Sequence, residues 1–276
     1  MKIISEQKIK NTVADLCVQA NLVLRNDVFQ QLKRAYLSEK NNRAKNILEA
    51  IIKNAQIARL EGLAICQDTG LPCVFVEIGQ DVKISGDLKA AINKGIESGY
   101  KKGFLRNSVI TDPLKRGSSG YAPAVMHFDI VKGNKLKITV FPKGFGCENK
   151  TQLKMFKPTA EIEEIKKFII DVVKSAGPDA CPPYVVGVGI GGTADYACFL
   201  AKKALLKSVK CQVSSVKGLE KELLTRINKL NIGPMGLGGS VTALAVNIET
   251  YPTHIAGLPV AVNISCHALR SATKII

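Results

Sequence analysis

The sequence predicts an α+β protein in which residues 1 to about 61 form a helical block and residues 62 to 276 a mixed sheet with flanking helices. Three observations carry that expectation. Apolar residues recur at helical spacing in three stripes before Gly62. Later, Tyr184-Val185-Val186-Gly187-Val188-Gly189-Ile190 is a continuous apolar run, as in strands buried on both faces. Strongly amphipathic segments, Thr159 to Ala176 above all, separate such runs.

Taken in order, Ile9, Val13, Leu16, Cys17 and Ala20 fall on one helix face behind Ser5, a residue suited to an N-cap. Val28, Leu32, Ala35 and Tyr36 make a second stripe, and Leu48, Ile51, Ile52, Ala55 and Ala58 a third that Gly62 closes. Leu63-Ala64-Ile65 and Cys73 to Ile78 read as strands around a Gly70-Leu71-Pro72 turn. A fourth helix spans Asp87 to Lys102 and stops at Gly103. Leu105 to Gly120 has no period and reads as a long loop, a feature uncommon in compact domains unless functional. Ala124 to Val131 and Leu136 to Phe141 suggest a hairpin turning at Lys132-Gly133-Asn134-Lys135. Pro142 to Lys150 is a second loop. The Thr159 to Ala176 helix ends at Gly177-Pro178, the Tyr184 strand follows, and Thr193 caps a helix reaching Leu206. Leu219, Leu223, Ile227 and Leu230 mark one more helix, before strands at Thr242 to Ile248 and Leu258 to Ile264. With no repeat and no low-complexity linker, residues 1–276 read as one domain.

Hydrophobic residues make up 46% of the chain, enough for a sizeable core. No run approaches the roughly 18 apolar residues of a membrane span, and Met1 to Lys8 lacks a signal-peptide core, so no membrane is implied and a cytoplasmic location is expected. A net charge of +16 attracts anions. Its Lys and Arg are spread over helix faces, as in Lys33-Arg34 and Lys202-Lys203, and 5% aromatics without Trp leaves little for base stacking. The composition therefore favours a small acidic substrate, or plain solubility, over nucleic acid. A basic, non-catalytic nucleic-acid-binding protein is the competing class.

Cys66-Gln67-Asp68-Thr69 puts a thiol, an amide, a carboxylate and a hydroxyl on consecutive residues between apolar segments. It is either a site loop or a polar hairpin turn. The turns Gly187 to Thr193 and Gly236-Leu237-Gly238-Gly239-Ser240 could cradle an anion or serve close packing, and neither has the spacing of a dinucleotide fingerprint. Among three histidines, His127 alternates with apolar neighbours as a sheet residue does, while His254 and His267 stand in polar, site-like contexts. The eight cysteines form no C-x-x-C pair, which leaves thiols, metal or catalysis. Cys66, Cys181 and Cys266 share a strand-boundary context that Cys17 lacks.

Cys66-Gln67-Asp68-Thr69-Gly70, Lys143-Gly144 to Asn149-Lys150, Cys181-Pro182-Pro183, Gly189-Ile190-Gly191-Gly192-Thr193, Ile232-Gly233-Pro234, Gly236-Leu237-Gly238-Gly239, Pro252-Thr253-His254-Ile255-Ala256 and Ser265-Cys266-His267-Ala268 together resemble the iron-dependent class I fumarate hydratases and tartrate dehydratases. The likeness, from about Ala44 to Arg270, is to their α subunit or the N-terminal half of the fused enzymes. It implies an oxygen-sensitive 4Fe-4S cluster on Cys66, Cys181 and Cys266, with one iron open as a Lewis acid for a hydroxyl leaving a small dicarboxylate. It also implies Asp68 as proton carrier, Gln67 and Arg106 as substrate contacts, backbone contacts from Gly144 and Gly146, and His254 lining the pocket. Phe145, Cys147 and Met235 depart from the family's usual glycine, serine and glutamine. The expected reaction is hydration of fumarate to malate, with tartrate or another hydroxy-diacid as the alternative. The motifs of the fused enzymes' C-terminal half have no counterpart after Arg270, so a separate β subunit, in an α2β2 assembly, is expected.

Overall fold

A computed structural model describes residues 2–209 and 216–276 and shows the mixed α and β class; Cys211 lies outside the described residues. The chain divides into two compact units, Met1–Arg25, Ala55–Phe145 and Arg270–Ile276 forming one and Asn26–Asn54 with Gly146–Leu269 the other. The N-terminal helices are shared between them. None of the described helices is long and apolar enough to cross a membrane.

In the first unit, β1 (Lys2–Ser5) leads into α1 (Glu6–Leu22), whose N-cap Ser5 accepts from the Lys8 N–H. The Ile9, Val13, Leu16, Cys17 stripe is fully buried. It packs on α4 (Leu88–Lys102) at two glycines, since a Cβ at Gly99 would stand 2.5 Å from the Ala14 carbonyl oxygen. Both helices share a core with β2 (Leu71–Gly79) and β7 (Leu136–Lys143), which point Val74, Val76, Leu136, Ile138 and Val140 inward with strand alternation. The strand order is β12-β7-β2-β6, with β6 at Val125–Val131 and β12 at Ala272–Ile275.

Several expectations change here. β6 and β7 are not a hairpin: β2 lies between them, parallel to β6 and antiparallel to β7. The Lys132 to Lys135 link instead closes over the end of β2, where the Gly79, Gln80 and Asp81 N–H groups donate to Lys135, Val131 and Gly133. Leu63 to Ile65 is not a strand, because its N–H groups are already taken by helices, Leu63 by Ala58 and Ile65 by Asn21. The supposed loop after Arg106 contains an antiparallel ribbon, β4 (Val109–Asp112) and β5 (Arg116–Gly120), whose exposed faces leave no apolar period to read. Short strands with little burial, β1, β3 (Val82–Ser85) and β12, gave no sequence signal for the same reason.

The second unit takes α2 (Asn26–Ser38) and the first part of α3 (Asn42–Glu61). Its sheet has the order β10-β9-β11-β8, from β8 (Gln152–Phe156), β9 (Tyr184–Gly192), β10 (Ala243–Thr253) and β11 (Leu258–Ser265). Tyr184, Val186 and Val188 of the central β9 join the core under α6 (Ile162–Ala176) and α8 (Lys217–Asn228). The opposite face of β9 carries Gly187 and Gly189 against α7 (Ala194–Ala204). A Cβ at either would stand 2.2 Å or less from an α7 carbonyl oxygen, so these two glycines serve close strand-on-helix packing. Gly236 to Ser240 does not open a helix. It leaves a 3-10 turn for β10, and the Ser240 N–H and Oγ–H both donate to the buried Glu39 carboxylate.

Candidate active site

The Cys66 to Gly70 segment runs between the end of α3 and β2, and its backbone is fixed from beneath by buried side chains. Arg270 Nη2 donates to the Asp68 carbonyl oxygen at 2.7 Å, and Tyr100 Oη donates to the Thr69 and Gly70 carbonyls at 3.0 Å each. Burial pushes the Tyr100 hydroxyl up from its ordinary value, despite the nearby Arg270, so it stays a donor. With three successive carbonyls held, the loop presents fixed side chains. Asp68 Oδ1 accepts from the Gly70 N–H at 3.0 Å, and Oδ2 from the Phe145 N–H at 2.9 Å. Cys66 is half-buried, and its Sγ donates to Oε1 of the exposed Gln67.

Arg106, remote in sequence, is brought to this loop by one hydroxyl. Thr69 Oγ1 accepts from the Arg106 N–H at 3.0 Å and faces the Arg106 carbonyl at 3.4 Å, leaving the guanidinium exposed. Gly144 closes the group, since a Cβ there would stand 3.1 Å from Asp68 Oδ2. Lys143 beside it is buried, at 2% exposure. The first unit therefore assembles Cys66, Gln67, Asp68, Arg106 and Gly144.

In the second unit, Cys181 precedes β9 and Cys266 follows β11, which run antiparallel with Val185 opposite Ser265. His267 ties the two ends together. Its backbone N–H donates to the Cys181 carbonyl oxygen at 3.3 Å, and its ring Nδ1 lies 3.1 Å from the same atom. A carbonyl only accepts, so Nδ1 carries the proton. Cys181 itself holds a left-handed φ of 55°, a strained state for a residue with a side chain and one that concentrates at functional positions. Gly146 sits at the same end, where a Cβ would be 3.8 Å from the Asp179 carbonyl oxygen. Cys147 Sγ donates to the Ala180 carbonyl oxygen. Met235, also left-handed, donates its N–H to Pro182.

Within the second unit, His254 lies away from Cys181 and Cys266. It lies in the exposed turn after β10, where Thr253 pairs with Gly192 at the far end of β9, about 23 Å along the strand from Val185. Its Nδ1 accepts from the Ala256 N–H within its own turn.

The donor set suits an iron–sulfur group. None of the seven described cysteines is in a disulfide; Cys17, Cys73 and Cys147 are buried, and Cys66, Cys181, Cys198 and Cys266 are partly exposed. Burial pushes the Cys17 thiol far up, which disfavours the thiolate a metal needs. Among the described residues no three His, Cys, Asp or Glu side chains converge on one ion. A cluster takes one thiolate per iron, so its ligands need not converge on a single ion.

A profile of the family described as "Fumarate hydratase (Fumerase)" matches residues 10–274. The chain belongs to the fumarate hydratase family. It is an enzyme of the hydro-lyase class that this family comprises. A Methanocaldococcus jannaschii relative, provisionally named L(+)-tartrate dehydratase subunit alpha, is 42% identical over 97% of both chains. The L(+)-tartrate dehydratase subunit alpha of Escherichia coli O157:H7 is 30% identical over 98% of this chain and 91% of its own. That of strain K12 is 29% identical over the same shares.

Arg270, Tyr100 and Asn21 were missed by reading the sequence for sites. Arg270 and Tyr100 donate to backbone carbonyls remote in the chain, and Asn21 accepts from Arg270 and from the remote Ile65 N–H; such bonds have no motif.

Proposed function

We propose that the chain is the α subunit of a hydro-lyase that dehydrates L(+)-tartrate, with fumarate or malate as poorer substrates. The observation that carries this is the end-to-end similarity to chains named L(+)-tartrate dehydratase subunit alpha, at 42% identity for one of them. It replaces fumarate hydration as the leading reading and leaves the chemistry the same. Loss of water removes hydroxide from one carbon and a proton from its neighbour; the resulting enol takes a proton at carbon and gives up the one on its hydroxyl to become oxaloacetate.

A 4Fe-4S cluster held by Cys66, Cys181 and Cys266 supplies, when bound, Lewis acidity for the departing hydroxide. The chain's own groups do the rest. Arg106 offers an exposed guanidinium fork for one substrate carboxylate. Gln67, next to Cys66, contacts the substrate through its amide, and Gly144 and Gly146 let the backbone approach it closely. Asp68, oriented by the Gly70 and Phe145 N–H groups, carries the proton at its carboxylate. Phe145 contacts Asp68 through its backbone N–H, so the departure from glycine at this position leaves that contact in place. His254, at the far end of β9, is given no part.

Arg106 accounts for one of the substrate's two carboxylates, and relatives named subunit alpha support a β subunit that completes the site, in an α2β2 assembly. The experiment is a substrate panel on the anaerobically purified assembly. Oxaloacetate from L(+)-tartrate, with kcat/KM at least about tenfold above that for malate or fumarate, is the expected result. A preference for fumarate and malate would return the reading to fumarate hydration, which the family profile favours.

A further inference from the structure

Arg270 is only 3% exposed, yet it is a permanent cation, and burying a charge is costly unless it is well used. Its fork reaches two elements at once. Nη2 donates to the Asp68 carbonyl oxygen at 2.7 Å, and Nη1 donates to Asn21 Oδ1, on α1, at 3.3 Å. Both acceptors are neutral, and the buried Nε has no hydrogen-bond partner, so stability alone does not account for the residue. Asn21 is itself fixed, its Nδ2 donating to Cys17 and its carbonyl accepting from the Ile65 N–H just before Cys66. Gly144 leaves the gap beside it, for a Cβ there would stand 3.1 Å from Asp68 Oδ2 and 4.0 Å from Arg270 Nη2.

We propose that Arg270 is a positioning residue that fastens the Asp68 turn to α1, so that the Asp68 carboxylate keeps its two backbone N–H bonds and its aim at the substrate. Lysine cannot replace it, because an ammonium lacks the planar fork that spans two fixed acceptors. This rests on the role given above to Asp68, but the fastening itself can be tested apart from that role.

The variants are Arg270→Lys and Arg270→Met, with Asn21→Ala as a milder one that frees a single Nη should either of the others fail to fold. Amide hydrogen exchange of Gly70 and Phe145, the two donors to Asp68, is measured in the assembled enzyme beside steady-state kinetics. Faster exchange at these two amides is expected, with kcat down about 100-fold and KM within about twofold, since Arg106 and Gln67 are untouched. A general loss of packing would not single out these two amides. Unchanged exchange at both overturns the proposal. A raised KM at normal kcat also overturns it, by making Arg270 a substrate contact. Faster exchange with unchanged kcat upholds the fastening and removes Asp68 from the chemistry.

Discussion

A thiol, an amide and a carboxylate on adjacent residues are useful only if the backbone beneath them cannot turn, and three captured carbonyls provide that at Asp68, Thr69 and Gly70. For Arg106, the fork is the expected working part. Arg106→Lys keeps the charge and the Thr69 bonds, which use the backbone, so KM is expected to rise about tenfold or more while iron content stays normal. Kinetics close to wild type in that variant would show that Arg106 does not touch the substrate. Serine at Cys66, Cys181 or Cys266 is expected to abolish bound iron and the visible iron–sulfur absorbance, whereas serine at the partly exposed Cys198 leaves both intact. Full iron content in any of the first three removes that ligand. At this scale the sequence was most informative where chemistry lies on neighbouring residues. At His254 the motif names a residue without saying at which end of a strand it sits, and it lies at the end of β9 away from Cys181.

At the scale of elements, side-chain volume and ion pairing decide. Gly189→Ala would put a Cβ 2.1 Å from the Ala197 carbonyl oxygen of α7, and a cost on the order of 1–3 kcal/mol is expected in denaturant unfolding. Gly218→Ala, in α8 with nothing within 4 Å, is the control and is expected to be neutral or stabilising by up to about 1 kcal/mol. A second test concerns the α6 and α8 pair. Bonds from Arg226 and Lys166 hold the Glu163 carboxyl down at about 2. A depressed folded value means the contribution is present above the unfolded value of about 4.3 and is lost as pH falls through about 2. The difference in thermal stability between wild type and Glu163→Gln is therefore expected to shrink between pH 4.5 and about 2, and salt should reduce it, since the carboxyl is exposed. A difference that is constant over that range would mean the pairs add nothing. The amphipathic helices were legible because burial on one face writes a period. Strand neighbours were not: the pattern of β6 and β7 is that of a hairpin, and only β2, itself apolar enough for a central position, explains why they part.

On the scale of the whole molecule, the chain's order and its architecture differ. The helical block at the N-terminus is divided between two units, and the last strand, β12, returns to pair with β7 of the first unit. Such long-range returns carry no local signal, whereas the α+β class and the family were both readable from the chain. The proposed site residues divide between the two units, Cys66, Asp68 and Arg106 lying in one and Cys181 and Cys266 in the other. The proposed roles give Arg106 one substrate carboxylate, and the relatives named subunit alpha are the reason a partner is central to this account. The most direct measurement is the dehydration rate of the iron-loaded chain, held under nitrogen, as purified β subunit is titrated in. Activity near zero for the chain alone, rising to a plateau at one β per α, is the expected result. Full activity of the chain alone, unchanged by added β subunit, would contradict the account.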